Sequence, residues 1–267
     1  MDELNKIPIF ALEGSAFVGK TTLLNYIKDN YGDKVNVIPE VGEYVGGDKY
    51  YPNIPFKNFN EAKYSTHFFE SIERCRFKDI LKQYQQNGKP ILIDRFTFLS
   101  SLVFYNLLVK NNIHSNKLGQ KILSHAKSVF SENINKMLIS FPKAFILVKH
   151  KNKKVFDSRL SRGTKNSVFT SWENCQYVNG LYDNYFENLP ANSVLELDST
   201  NSNLKQNAVK ILSFIDKNIK NDKQLQIDDL LKSDIEELTS SDKEITNRAN
   251  KYAISLIKQN LEKYGKI

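Results

Sequence analysis

IPIFALEGSAFVGKTTLLNYIKDN, residues 7–30, decides the fold. IPIFALE (7–13) is a short apolar run that reads as a buried strand, and KTTLLNYIKDN (20–30) reads as a helix. Between them, Gly14-Ser15-Ala16-Phe17-Val18-Gly19-Lys20-Thr21 fits G-x-x-x-x-G-K-[ST] without exception, and Thr22 follows. Gly14 and Gly19 let the backbone curl until its N–H groups converge on phosphate oxygens. The helix behind adds the positive end of its dipole. Lys20 is then expected to reach the β- and γ-phosphates of ATP, and the Thr21 hydroxyl to ligate magnesium. Strand before and helix after are the setting this motif requires, so Gly14 to Thr22 form the expected donor-binding loop.

Outward from the loop, strands alternate with helices. VNVIPE (35–40), PILID (90–94), AFILV (144–148) and VLELD (194–198) read as four further strands. Apolar residues recur at helical spacing from Phe59 to about Gln86, where Gly88 ends the run, and over roughly 98–110 and 116–138. Such alternation predicts parallel strands joined by right-handed crossovers. The expected architecture is a three-layer α/β sandwich of the P-loop NTPase type, with a mainly parallel five-stranded sheet over residues 1–220. Residues 221–267 carry nine acidic and eight basic residues, net −1, against +8 for the whole chain. They read as a C-terminal extension of two amphipathic helices, the second opened by Ser241 and Glu244 as a capping box. This tail is expected to pack on the main domain; a homodimer built on it is the alternative.

Composition narrows the functional classes. Hydrophobic residues at 40% support a buried core and exclude wholesale disorder. No apolar run is long enough to cross a bilayer. Cys75 and Cys175 match no metal or redox spacing. The reading is a soluble, reduced, cytoplasmic protein. The excess of eight positive charges suits anionic substrates, but no dense basic run with interleaved aromatics speaks for nucleic acid.

A phosphate loop fixes nucleotide binding alone, so other residues must select the subclass. No NKxD-like guanine reader and no LSGGQ-like element occurs. Asp94-Arg95 does occur, at the end of the third strand, which brings a carboxylate and an arginine beside the phosphate loop. With these residues the chain resembles the thymidylate kinase and deoxynucleoside kinase group of P-loop kinases. EGSAFVGKTTLL (13–24) resembles the family opening, FFESIERCRF (68–77) the helix whose arginine faces the acceptor base, and IDRFTFLSSLVFYN (93–106) the aspartate-arginine stretch. RLSRG (159–163) resembles the lid whose arginines close over the phosphates, and VLELDST (194–200) the terminal strand near the adenine. The resemblance spans about residues 7–219.

The resemblance implies ATP-dependent phosphoryl transfer to a nucleoside or nucleoside monophosphate, with a small-molecule acceptor as partner. Asp94 would hold magnesium together with Thr21, and Arg95 would contact the transferring group. Arg159 and Arg162 would screen developing charge, with Lys165 assisting. Arg74 would face the base, and Tyr44, Phe68 and Phe69 would stack on it. Two departures bear on the acceptor. Thymidylate kinases carry an arginine before the glutamate of the second loop, and here Pro39 stands there; Ala16 replaces their P-loop acidic residue. Glu40-Val41-Gly42-Glu43-Tyr44 instead approximates the deoxynucleoside kinase run, whose glutamate is a general base for a sugar hydroxyl. Glu40 is therefore the expected base and acceptor ligand, with a lean towards an unphosphorylated acceptor. The competing readings are a kinase of another small hydroxyl compound, a nucleotide-binding regulator with little turnover, and a nucleic-acid end kinase.

Overall fold

The computed structural model describes residues 7–160, 168, 170–200, 203–220, 225–231 and 240–264. Five strands, β1 (Ile9–Glu13), β2 (Asn36–Ile38), β3 (Ile91–Asp94), β4 (Ala144–Lys149) and β5 (Val194–Asp198), form one sheet in the order β2-β3-β1-β4-β5. All four pairings are parallel. The strands alternate along the chain with α1 (Lys20–Tyr31), α3 (Phe59–Asn87), α4 (Thr97–Lys110), α5 (Asn116–Asn135), α7 (Trp172–Phe186) and α8 (Leu204–Ile219). The three-layer sandwich expected from the phosphate loop and the strand spacing is present.

Successive side chains of a strand point to opposite faces, and each face has its own core. Ile9, Ala11, Ile91, Ile93, Phe145 and Leu147 meet α3, α4, α5 and α7 in one cluster. Phe10, Leu12, Leu92, Ala144, Ile146 and Val148 meet α1 and α8 in the other. The five positions of β1 are all buried, including its terminal Glu13. Because both faces are covered, β1 and β4 read as unbroken apolar runs rather than alternating ones.

Two short elements after β2 lie beyond the sequence reading. The second loop forms a one-turn helix, α2 (Val41–Val45), with Glu40 as its N-cap residue, followed by a short 3₁₀ turn at Asp48–Tyr50. A further helix, α6 (Lys153–Leu160), follows β4 and carries Arg159 in its last turn. In the C-terminal extension, α9 (Ile227–Leu230) is a single turn and α10 (Ser240–Tyr264) is a helix of 25 residues. Ser241 thus lies inside the first turn of α10 rather than capping it. Leu225 and Leu230 join the first core cluster, and α10 lies on α2 and α3. The extension therefore packs on the main body. No described helix is long and apolar enough to cross a membrane.

Ile146 is wholly buried in the central strand pair. Ile146→Ala should lower unfolding free energy by about 2–5 kcal/mol. Chemical denaturation of the variant beside the parent measures it.

Candidate active site

The phosphate loop joins the C-terminal end of β1 to α1, in the middle of the sheet. Gly14 is indispensable there: its φ is +139°, and a Cβ would come within 2.2 Å of the Val148 carbonyl oxygen of the neighbouring strand. Phe17 also has positive φ, +63°, and its ring meets Phe156 of α6 edge-on at 6.3 Å. Lys20 turns back into the loop, donating to the carbonyls of Gly14 (3.0 Å) and Ser15 (2.8 Å). Its ammonium is pushed down to about 7, first by burial and then by Arg95, against the pull of Asp94, Glu40 and Glu13. Ser15 Oγ lies 3.2 Å from Cys175 Sγ.

Asp94 ends β3 and is buried; its Oδ1 has no hydrogen-bond partner, and burial raises its pKa. Thr21 and Asp94 line one end of a groove of about 820 Å³ that runs outward between α1 and α3 along the free edge of β2. A buried carboxylate oxygen without a hydrogen-bond partner, lining the same groove as a threonine, is a donor set that suits a hard cation. Arg95 follows in the left-handed region, φ +60°. Its Nη1 donates to Glu40 Oε1 at 3.3 Å, which joins the second loop to the third. Burial opposes the Arg95 charge, but Glu40, Tyr182, Asp94 and Glu13 hold its pKa above the ordinary arginine value.

Two residues that the sequence reading left without a role hold this arrangement. Glu13 is fully buried; it accepts from the Phe96 N–H (2.7 Å) and from the Tyr182 hydroxyl (2.9 Å). Burial raises its pKa to about 7 despite those bonds and the nearby Arg95. Arg76, in α3, is 0% exposed. It donates to the carbonyls of Pro39 (3.3 Å), Asp94 (3.0 Å) and Arg95 (2.7 Å), and forks onto Glu73 (2.7 and 2.9 Å). Glu73 in turn accepts from the Thr97 hydroxyl. Signals for both were there: a carboxylate closing an apolar strand, and an arginine four residues from both Ile72 and Ile80 on a buried stripe.

Other expected residues stand elsewhere. Arg74 pairs with Glu70 at 2.7 Å on α3, the ordinary i,i+4 outcome, instead of standing open to a base. Tyr44 is buried among α2, α3 and α10. Its hydroxyl hydrogen-bonds Asp79, and it lines the groove wall rather than offering a free face for stacking. Phe69 remains half-buried, edge-on to Tyr51 at 4.8 Å. Arg159 donates to the phosphate-loop carbonyls of Phe17 (3.4 Å) and Val18 (2.8 Å) and to Ser199 (2.7 Å), bracing the loop from behind. Arg162 and Lys165 lie outside the described residues. No cluster of three metal-ligating side chains occurs among the described residues.

Two outcomes test this geometry. A triphosphate against Lys20 favours its charged form, so ATP binding at pH 8 should take up a proton that the Lys20→Ala variant does not. Calorimetry in buffers of different ionisation enthalpy reads the difference, which should shrink below pH 7, where Lys20 is already charged. Separately, Arg76→Lys keeps the charge but loses the planar fork. Turnover should fall by about tenfold or more, while the ATP dissociation constant stays within about threefold; steady-state kinetics and titration check both.

Comparison with known proteins assigns the chain. The family model described as deoxynucleoside kinase matches residues 10–221. No curated protein matches the sequence. Among solved structures, a deoxyadenosine kinase from M. mycoides, with dCMP and a flexible dCDP bound, is similar at 17% identity and a TM-score of 0.52. The match covers 78% of this chain and 99% of that one. That likeness reflects the fold, and the family model covers every element from β1 to α8. The chain belongs to the deoxynucleoside kinase family and is an ATP-dependent nucleoside kinase.

Proposed function

We propose that the acceptor is an unphosphorylated nucleoside, that Glu40 takes the proton of its sugar hydroxyl, and that magnesium accompanies ATP. The observation that carries this is the contact between Glu40 and Arg95 at 3.3 Å, beside the phosphate loop, with Pro39 where an acceptor-phosphate arginine would stand. A nucleoside hydroxyl is a poor nucleophile at neutral pH, and a positioned carboxylate within hydrogen-bond reach supplies the base. Arg95 then turns towards the transferring phosphoryl group, while Lys20 and the loop N–H groups hold the donor. Thr21 and Asp94 are the residues to hold magnesium, which when bound neutralises phosphate charge. Arg159, Arg162 and the basic segment around them act on the donor side, Arg159 through the loop that it braces. Phe69 and Tyr51 give the acceptor base an aromatic wall, with Arg74 and Tyr44 behind it. Residues 1–220 form the catalytic body and 221–267 the extension. Both cysteines are free thiols, in keeping with a cytoplasmic protein.

ADP release measured against a panel of nucleosides and their monophosphates tests the acceptor. At least one nucleoside should be used faster than its own monophosphate. Glu40→Gln should then lower turnover by about 100- to 10,000-fold with little change in ATP affinity. Strong monophosphate activity with a silent Glu40→Gln variant would contradict the reading.

A further inference from the structure

The family match ends at residue 221, and α10 begins at Ser240, so α10 is an addition to the family body. Its placement is specific. Among the described residues, the buried members of the third apolar cluster are Val41, Tyr44 and Val45 of α2, Phe68 and Ile72 of α3, and Ala249, Ala253, Leu256 and Ile257 of α10. Ala249 and Ala253, four residues apart and 0% exposed, keep the α10 side chains short where it lies on α3. About two turns further, Asn260 reaches α2. Its amide donates to the carbonyls of Glu43 (2.8 Å) and Tyr44 (3.4 Å).

Those carbonyls belong to the end of a five-residue helix. A helix that short has no reserve of its own, because nucleation is unfavourable, and the Glu43 carbonyl receives from the backbone only the long bond of the Gly46 N–H, 3.4 Å. Its other end is Glu40, whose carbonyl accepts from the Glu43 N–H at 3.0 Å. The turn is equally tight on its other flank. A Cβ on Gly42 would come 2.3 Å from the Tyr51 hydroxyl, and the Tyr51 ring continues through Phe68 (6.5 Å) to Tyr252 of α10 (5.7 Å). Shifting α10 therefore moves α2, and shifting α2 moves Glu40. Glu40 itself is bonded to Arg95 at the end of β3, while the apolar residues of α2 pack on α3 and α10.

We propose that α10 is a brace for the acceptor side, with Asn260 as a positioning residue that fixes the α2 turn and thereby the Glu40 carboxylate. This rests on the reading of Glu40 as the residue that meets the acceptor. The brace acts on acceptor affinity and turnover, and leaves the donor loop, anchored on β1 and β3, untouched.

The test compares Asn260→Asp, Asn260→Ala and Asp242→Asn in the full-length chain. Asn260→Asp is isosteric but sets a carboxylate against two carbonyls; Asn260→Ala only removes the donor. Asp242 pairs with Lys63 at 2.7 Å, at the far end of α10 from α2. Nucleoside KM should rise by about fivefold or more in Asn260→Asp and by less in Asn260→Ala, with ATP affinity within about twofold. Asp242→Asn should lower Tm without moving nucleoside KM. An unchanged nucleoside KM in Asn260→Asp, or an equal rise in Asp242→Asn, overturns the brace. Glu40→Gln assayed alongside separates the two readings. If Glu40→Gln cripples turnover while Asn260→Asp is silent, only the brace fails. If Glu40→Gln is silent, the link through Glu40 fails, whatever Asn260 does.

Discussion

A guanidinium cut off from water carries five N–H donors and a full charge, and each must be satisfied inside the protein. Arg76 meets that demand with Glu73 and with three main-chain carbonyls, of Pro39, Asp94 and Arg95. Those carbonyls come from two segments that are far apart in sequence and carry Glu40, Asp94 and Arg95. The fork thus ties the ends of β2 and β3 to one point on α3. A buried ion pair is weak support for stability in general. Here it serves geometry: Glu73 neutralises the charge so that Arg76 can use its remaining donors on the loops.

The same tie explains why Arg95 can hold a left-handed backbone, φ +60°, at a non-glycine position. Such a conformation costs of order 1–3 kcal/mol and persists only when the surroundings over-determine it. Three contacts do so: the Arg95 N–H donates to Leu12 (3.1 Å), the Arg95 carbonyl accepts from Arg76 (2.7 Å), and the Phe96 N–H donates to Glu13 (2.7 Å). Released from these bonds, the loop would relax towards right-handed backbone and swing the guanidinium away from Glu40. The fully buried carboxylate of Glu13 belongs to the same constraint, since a strand otherwise made of apolar residues ends in the one group able to take that N–H.

Legibility followed the physics of each feature. The phosphate loop, the five strands and the Asp94-Arg95 pair were visible in the sequence because each rests on local pattern: period, glycine spacing, or position at a strand end. Arg74 and Arg76 show where pattern stopped sufficing. Two residues apart on a helix, they point about 200° away from each other. Choosing between them requires the register of α3 against the sheet, and the Ile72–Ile80 stripe had to be weighed against the resemblance that favoured Arg74. Tyr44 shows a related limit. Its surroundings are completed by α10, more than two hundred residues later in the chain, and no local signal announces that contact. The α2 turn, too short for any periodicity, was legible only as the run containing Glu40.

The site is consequently asymmetric in how it is supported. Its donor half hangs from β1 and β3 at the centre of the sheet, where both apolar cores meet and where Ile9, Phe10, Ala11, Leu92 and Ile146 are all buried. Its other half, the Glu40 side that we propose meets the acceptor, is a one-turn helix, a 3₁₀ turn and a few aromatic rings, set on α3 and α10. Local stability tracks buried apolar contact, so the donor half is the rigid one. The α2 side depends on α10 as well as on α3. Phosphoryl transfer needs both groups in line at near-contact distance, so small shifts of α2 alter the acceptor while the phosphate loop stays fixed. A chain that must keep its donor and select its nucleoside is well served by placing the selecting wall on the less deeply anchored elements and tuning it from outside through α10.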